Sequence, residues 1–231
     1  MVCYIKFQSL ILYVLSFILL VSANFFVANS TALVSSPIPR FSVVLDAGHG
    51  GVDTGAVSKN GTNERDINLS ITQKLGGLLS NLGLKVVYTR TTKDALYNNF
   101  SRGHKLKDME KRAEIIQAAN PNLVISIHLN SFNSPSAKGA QVFYKPNDDY
   151  SAELAQNLQD VFVKNIEGSR TTSQIGDFYI LNCSPSTAIL VECGFLSNPE
   201  EEKKLVSNSY QEKLAYYIMC GVVSFFGLTE N

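Results

Sequence analysis

The stretch FSVVLDAGHGG, residues 41–51, decides the fold, because an apolar, β-branched run leads directly into a glycine-rich loop. The run FSVVLD (41–46) predicts a buried strand, and the loop after it predicts a change of direction at the strand's carboxyl end. A second apolar run, AILVECGF (188–195), predicts a strand at the centre of the same sheet. Both runs end close to residues that can carry chemistry.

Strand and helix patterns alternate through the rest of the chain. Further strands are predicted at 85–90, 122–130 and 140–145, and helices at 67–83, 108–119, 151–166 and 209–226. Asn198 followed by Pro199 predicts one more helix start. Strands that alternate with helices indicate a single α/β domain, residues 41–227, with a mostly parallel sheet flanked by helices.

The composition is that of a folded chain without a strong overall charge. The 231 residues are 45% hydrophobic and 17% charged, which is enough apolar material for a sizeable core. Lysine and arginine together number 20, and so do aspartate and glutamate, which leaves a net charge of zero. Because no basic stripe stands out either, the sequence predicts no nucleic-acid partner.

Residues 1–29 predict a targeting segment. Lys6 precedes the apolar run LILYVLSFILLV (10–21), and small residues follow it, as in an export signal. Extended through Phe25, Phe26 and Val27, the run approaches the roughly 20 residues that span a bilayer, so an uncleaved membrane anchor is the alternative. Residues 30–40 predict a linker. The domain is therefore expected on the outer side of a membrane, with membrane contact only through this segment.

The cysteines do not predict a disulfide framework. Four are present, and Cys3 lies before the apolar run, which leaves an odd number in the domain. One bridge between Cys183 and Cys193 is conceivable, but buried free thiols are favoured.

Three predicted strand ends carry His49, His128 and Glu192. Sites of α/β sheets form beyond the carboxyl ends of their strands, so these side chains are expected to converge. A catalytic zinc ion takes three ligands from histidine and carboxylate groups, and the two histidines supply two of them. Glu64, just before the predicted helix, is the favoured third ligand, with Asp53 and Asp66 as rivals.

Glu192 is the candidate acid and base. It ends an apolar strand, where partial burial raises the pKa of a carboxyl group towards neutrality. A metal ion with such a carboxyl group beside it indicates metal-assisted hydrolysis of an amide. Asn130 is predicted either to contact substrate or to cap a loop.

The remaining polar residues receive mainly structural interpretations. Arg90 and Arg112 are expected to make structural contacts, and His104 is expected at the surface. Arg102, Lys105 and Lys107 could meet carboxylates of an anionic peptide, although a solvated loop is favoured. The glycines of the loop are expected to permit left-handed turns and close backbone approach; they are Gly48, Gly50, Gly51 and Gly55.

Four separated segments carry a specific resemblance. They are VVLDAGHGGVDTGA (43–56), NERDINLSI (63–71), RAEIIQAANPNLVISIHLNS (112–131) and AILVECGFLSNPEEEKKL (188–205). In this order they resemble the zinc-dependent N-acetylmuramoyl-L-alanine amidases of bacterial cell walls, over residues 41–226. The short chain and apolar leader are most similar to the spore-cortex, germination-associated branch.

The resemblance implies a zinc carboxypeptidase-like fold with a twisted sheet. It implies that His49, Glu64 and His128 bind zinc and that Glu192 is the catalytic acid/base. The implied substrate is the bond between the lactyl group of muramic acid and L-alanine in peptidoglycan. In the spore branch this step precedes muramic δ-lactam formation, which needs a deacetylase acting downstream. The spore cortex space is then one possible location.

One departure from the family concerns a helical insertion that covers the zinc in some members. The corresponding segment here is only KPNDDYS (145–151), which predicts an uncovered site controlled by expression, location or a partner protein. Two other functions stay open at this point. One is an exported zinc peptidase acting on free peptides. The other is a non-catalytic wall-binding protein, which the presence of Glu192 disfavours because binding alone requires no acid or base.

Overall fold

The apolar runs of the sequence form a six-stranded sheet in a computed structural model that describes residues 41–97 and 103–228. The strands are β1 (Ser42–Ala47), β2 (Lys85–Tyr88), β3 (Leu123–Asn130), β4 (Gln141–Tyr144), β5 (Gln174–Ile175) and β6 (Thr187–Phe195). They join in the order β2-β1-β3-β6-β4-β5. Only β4 and β6 pair antiparallel, which confirms the predicted α/β domain with a mostly parallel sheet.

Six helices connect or flank these strands within the described residues. They are α1 (Glu64–Asn81), α2 (His104–Ala119), α3 (Asp149–Asn165), α4 (Tyr179–Asn182), α5 (Pro199–Leu205) and α6 (Asn208–Phe226). The prediction placed the start of α1 too late, because Glu64 is already its first residue. It also placed the start of α2 four residues too late, since Gly103, in a left-handed conformation, precedes its first turn.

Alternation along the strands divides the core into two faces. Val43 and Leu45 of β1 point to the face covered by α1, α3 and α6, whereas Val44 points to the face covered by α2 and α4. Helix α1 contributes apolar residues at helical spacing to the first face, namely Ile67, Ile71, Leu75 and Leu79. Because both faces are buried, the central strands β1, β3 and β6 are mainly apolar before their carboxyl ends.

The register of the sheet places residues of β1, β3 and β6 side by side. Ala47 of β1 lies beside Ile127 of β3, and His128 of β3 lies beside Glu192 of β6. The loop after β1, the end of β3 and the middle of β6 therefore meet at one edge of the sheet, as predicted from the sequence.

The structure also bears on the predictions for the cysteines, for the segment after β4 and for membrane-spanning helices. Cys183, Cys193 and Cys220 are free, so the conceivable Cys183–Cys193 bridge does not form. Only residues 145–148 join β4 to α3, and they include no helix that could cover the sheet edge. The predicted leader and linker (1–29 and 30–40) lie outside the described residues. Among residues 41–97 and 103–228, no helix is both long and apolar enough to cross a bilayer.

Candidate metal centre

The loop after β1 carries His49 in an unusual backbone conformation. Its φ is 63°, in the left-handed region that non-glycine residues seldom adopt. The Gly48 amide donates to the carbonyl of Ile127 at 3.0 Å, which ties the loop to the end of β3. Such strain persists only where the surroundings hold it, and it is common at functional sites.

Two buried arginines hold the backbone of this loop. Arg90 donates to the carbonyl oxygens of Ala47 and Gly48 at 2.8 and 2.9 Å. Arg112 donates to the carbonyl oxygens of Ala47 and His49 at 2.7 and 2.5 Å. The structural role predicted for both arginines is thus confirmed, and their shared target is the segment that presents His49.

The charge of Arg112 is balanced inside the protein. It pairs with Asp46 at 2.6 Å and with Asp108 at 2.8 Å, and both Arg112 and Asp46 are almost fully buried. Burial alone would raise the pKa of Asp46, but Arg112 and hydrogen bonds from Ser126 and Thr89 outweigh it and lower that pKa to about 2. The carboxylate therefore stays ionised.

Three side chains from different elements converge beside this loop. His49 Nε2 lies 3.2 Å from Glu64 Oε1, and His128 Nδ1 lies 3.1 Å from the same oxygen. One ligand atom from each of the three residues lies within 4.8 Å of the others. Ligands of a tetrahedral zinc ion, bound at about 2.0–2.2 Å, are separated by about 3.3–3.6 Å, which is close to these two distances.

Further contacts fix Glu64 and His49. Glu64 Oε1 accepts hydrogen bonds from the Leu129 amide at 3.0 Å and from Asn68 Nδ2 at 3.1 Å, and Oε2 accepts from the Ala56 amide at 2.8 Å. His49 Nδ1 lies 3.0 Å from Asp53 Oδ2. A carboxylate behind a histidine in this way orients a metal-binding imidazole.

The protonation state of His49 shows whether a metal ion could bind between His49 and Glu64. Burial would lower the pKa of His49, but the carboxylates of Asp53 and Glu64, at 3.0 and 3.2 Å from its two ring nitrogens, raise it to about 9. Both ring nitrogens face carboxylate oxygens, so the ring without a metal holds two protons. Burial would also raise the pKa of Glu64, but the two imidazoles hold it far below its ordinary range. A divalent cation can take the place of the second proton, so the donor set fits a metal ion.

We expect this exchange to make zinc affinity depend on pH. His49 must lose a proton before Nε2 can bind a cation, so affinity should fall about tenfold for each pH unit below about 9. Because the pKa is raised in the folded state, the protonated ring stabilises the metal-free fold fully below about pH 6.5, and this stabilisation is lost as the pH rises through about 9. Chelator-competition titrations from pH 6 to 9 measure the slope, and a flat profile would contradict the account.

Glu192 lies beside His128 on the neighbouring strand β6 but is not one of the three converging residues. Its Oε2 atom is buried and has no hydrogen-bond partner among the described residues. Burial raises the pKa of Glu192 to about 7, and the nearby charge of Glu64 acts in the same direction, while the charges of His128 and His49 oppose it. A carboxyl group that titrates near neutrality can both accept and donate a proton at physiological pH.

A glycine gives His128 its room. A Cβ atom at Gly48 would overlap the imidazole ring of His128. We expect Gly48→Ala to push this ring away and to weaken zinc binding by at least about tenfold, as disturbed metal-site support usually does. Gly77→Ala in α1 is the matched control, because a Cβ atom there meets nothing within 4 Å. Normal zinc affinity of Gly48→Ala would show that the ring position is unimportant.

The structure separates Glu64 from its rivals. Asp53 lies behind His49, and Asp66 faces Arg65 and Lys93 at 3.7 Å each. Glu64 alone of the three touches both imidazoles. The sequence indicates Asp53 only as a possible ligand, although its spacing of four residues from His49 could have suggested its position against His49 Nδ1.

A cleft of about 300 Å³ opens beside these groups. Its lining includes His49, His128 and Glu192, and it also includes Lys105 and the half-buried His104, which the sequence placed at the surface. Asn130 is not in this lining, and its Oδ1 accepts from the Ser131 amide at 2.8 Å, which is the loop-capping alternative. Arg102 lies outside the described residues.

An α/β sheet that brings two imidazoles and two distinct carboxyl groups to one edge has the arrangement of a metal-assisted hydrolase. The family model described as N-acetylmuramoyl-L-alanine amidase matches residues 43–224. The germination-specific N-acetylmuramoyl-L-alanine amidase of Bacillus subtilis is 33% identical over 196 residues, covering 83% of this chain and 82% of the relative.

Solved structures agree with this match. The CwlD amidase of Clostridioides difficile, in complex with the GerS lipoprotein, has a TM-score of 0.78 and 36% identity, covering 82% of this chain and 100% of that one. The amidase AmiC2 of Nostoc punctiforme has a TM-score of 0.70 and 30% identity, covering 81% and 97%. The chain belongs to the N-acetylmuramoyl-L-alanine amidase family. It is a peptidoglycan amidase, which decides against the peptidase and the non-catalytic alternatives.

Proposed function

We propose that this amidase binds one zinc ion through His49, Glu64 and His128 and uses Glu192 as its acid and base. The observation that carries the proposal is the convergence of the three ligand atoms within 4.8 Å of one another, beside the strand that bears Glu192. Two imidazoles and one carboxylate form a common catalytic zinc set, which leaves a position for water and substrate. When bound, zinc would act as a Lewis acid on the scissile carbonyl and would acidify water.

In this proposal Glu192 transfers the protons, and other residues hold the metal ligands in position. Glu192 Oε2, which has no hydrogen-bond partner in residues 41–97 and 103–228, takes the proton of the attacking water and delivers it to the alanine nitrogen as that nitrogen leaves. Asp53 keeps His49 in the tautomer that leaves Nε2 free for the metal. The Leu129 amide and Asn68 hold Glu64 Oε1 in place while these steps occur.

The proposed setting is the spore cortex. It rests on the resemblance to the germination-associated branch and on the 33% identity to a germination-specific amidase. Residues 1–29 would act as a signal peptide or membrane anchor, and residues 30–40 as a linker, so that residues 41–227 work as an exported catalytic domain. The CwlD amidase in complex with the GerS lipoprotein supports a protein partner for localisation or activation. A deacetylase would then complete muramic δ-lactam downstream.

The experiment compares purified cortex peptidoglycan with vegetative sacculi as substrates for the full-length protein. Release of stem peptides should stop after chelation and return with zinc, and cortex should be cleaved faster than sacculi. Activity that survives complete chelation would contradict the zinc proposal. Equal rates on both polymers would contradict the cortex preference and leave the amidase activity standing.

A further inference from the structure

Lys105 gives the active-site cleft a positive charge that the proposed chemistry does not use. It lies in the first turn of α2 and lines the same cleft as His49, His128 and Glu192. Its side chain is 67% exposed. Its partner is Asp53, whose Oδ2 atom lies 3.4 Å from Lys105 Nζ.

Arg112, which also lines the cleft, already has carboxylate partners. Arg112 is paired with Asp46 and Asp108 in the buried floor. The Asp53 oxygen that meets Lys105 also lies 3.0 Å from His49 Nδ1, so the ammonium group shares its counter-ion. An exposed lysine with a shared partner can accept a second anion at little cost. The first turn of α2 contains no acidic residue, so the helix dipole adds to the positive potential at this point.

The substrate offers an anion a short distance from the scissile bond. In a stem peptide, the residue after L-alanine can carry a free α-carboxylate, which lies two residues beyond the scissile carbonyl. Two extended residues span about 7 Å. Lys105 Nζ and His49 Nδ1 contact the same oxygen of Asp53, at 3.4 and 3.0 Å, and Lys105 lines the same cleft as His128 and Glu192, so the ammonium group lies near the ring that carries the first proposed metal ligand.

We propose that Lys105 binds the free α-carboxylate of the stem-peptide residue that follows L-alanine. This inference rests on the proposed function, because it assumes that the scissile bond lies at His49, Glu64 and His128. It makes Lys105 a specificity-determining residue. A peptide whose carboxylate is replaced by a neutral carboxamide loses the charge-assisted hydrogen bond and should bind less well.

The test uses two muropeptides that differ only in this group, carboxylate against carboxamide. For the wild-type protein, KM should be about five- to tenfold lower for the carboxylate substrate, with similar kcat. Lys105→Ala should raise KM for this substrate to the value for the carboxamide, and Lys105→Arg should restore most of the difference. Lys107→Ala is the matched control, since Lys107 lies on the same turn but contacts Tyr97 and not the cleft lining.

The possible outcomes distinguish failure of the Lys105 proposal from failure of the proposed function. A purely structural role of Lys105, acting through Asp53 and His49, would change both substrates equally, and that result would overturn the proposal. Equal KM values for the two substrates in the wild-type protein would also overturn it while the zinc amidase function stands. If the zinc-loaded wild-type protein cleaved neither muropeptide, the proposed function would fail and the Lys105 assignment with it.

Discussion

Glu192→Gln is expected to lower kcat by about 10²- to 10⁴-fold, the usual contribution of a general acid and base, while zinc content stays at the wild-type level. Glutamine keeps the shape of the side chain but has no group that titrates near neutrality. Because Glu192 Oε2 makes no hydrogen bond to the described residues, the change breaks no contact of the fold. Stem-peptide release and bound zinc are measured on the same preparation.

Glu200→Gln is the matched control for this variant. Glu200 is an exposed carboxylate at the start of α5, eight positions further along the chain, and its replacement should leave kcat unchanged. If Glu192→Gln released stem peptides at the normal rate, a different residue would have to carry the proton.

Glu64→Ala is expected to remove both zinc and activity. Loss of a residue that merely supports a metal ligand costs about 10–100-fold in affinity, so loss of a ligand should cost more than about 100-fold. The Leu129 and Ala56 amides also lose their acceptor, which should lower the free energy of unfolding by about 1–3 kcal/mol for each buried donor left unpaired. Zinc titration and thermal unfolding separate the two effects.

Asp66→Asn tests whether Glu64 is the right carboxylate. Asp66 lies two residues away on the same turn of α1, but it faces Arg65 and Lys93. This variant should bind zinc and cleave substrate like the wild-type protein. Loss of zinc in Asp66→Asn together with retention in Glu64→Ala would move the metal site to the rival carboxylate.

The sheet was predictable because its central strands are buried on both faces. Runs such as FSVVLD and AILVECGF predict buried strands, and their alternation with helices indicates the parallel order. The two-residue strand β5 and the four-residue helix α4 were not predicted, because such short elements have no periodicity to detect. The start of α2 was misplaced for a related reason, since its first turn contains mostly polar residues.

The candidate site was predictable in part. The predicted strand ends indicated His49, His128 and Glu192, and Glu64 was the favoured third ligand, but spacing alone did not exclude Asp53 and Asp66. Which carboxylate reaches both imidazoles depends on how the loop after β1 folds back. The Ala56 and Leu129 amides donate hydrogen bonds to Glu64 and hold it there. The hydrogen bonds from Arg90 and Arg112 to the loop carbonyls could not be predicted. Every residue has a backbone carbonyl, so the sequence does not indicate which carbonyls accept these bonds.

The central claim is that one zinc ion lies between His49, Glu64 and His128. Anomalous diffraction at the zinc absorption edge, on crystals of the zinc-loaded protein, tests it most directly. We predict a single strong peak in contact with His49 Nε2, His128 Nδ1 and Glu64 Oε1. A peak bound elsewhere, for example at Asp53 or Asp66, or no peak at all from an active protein, would contradict the account.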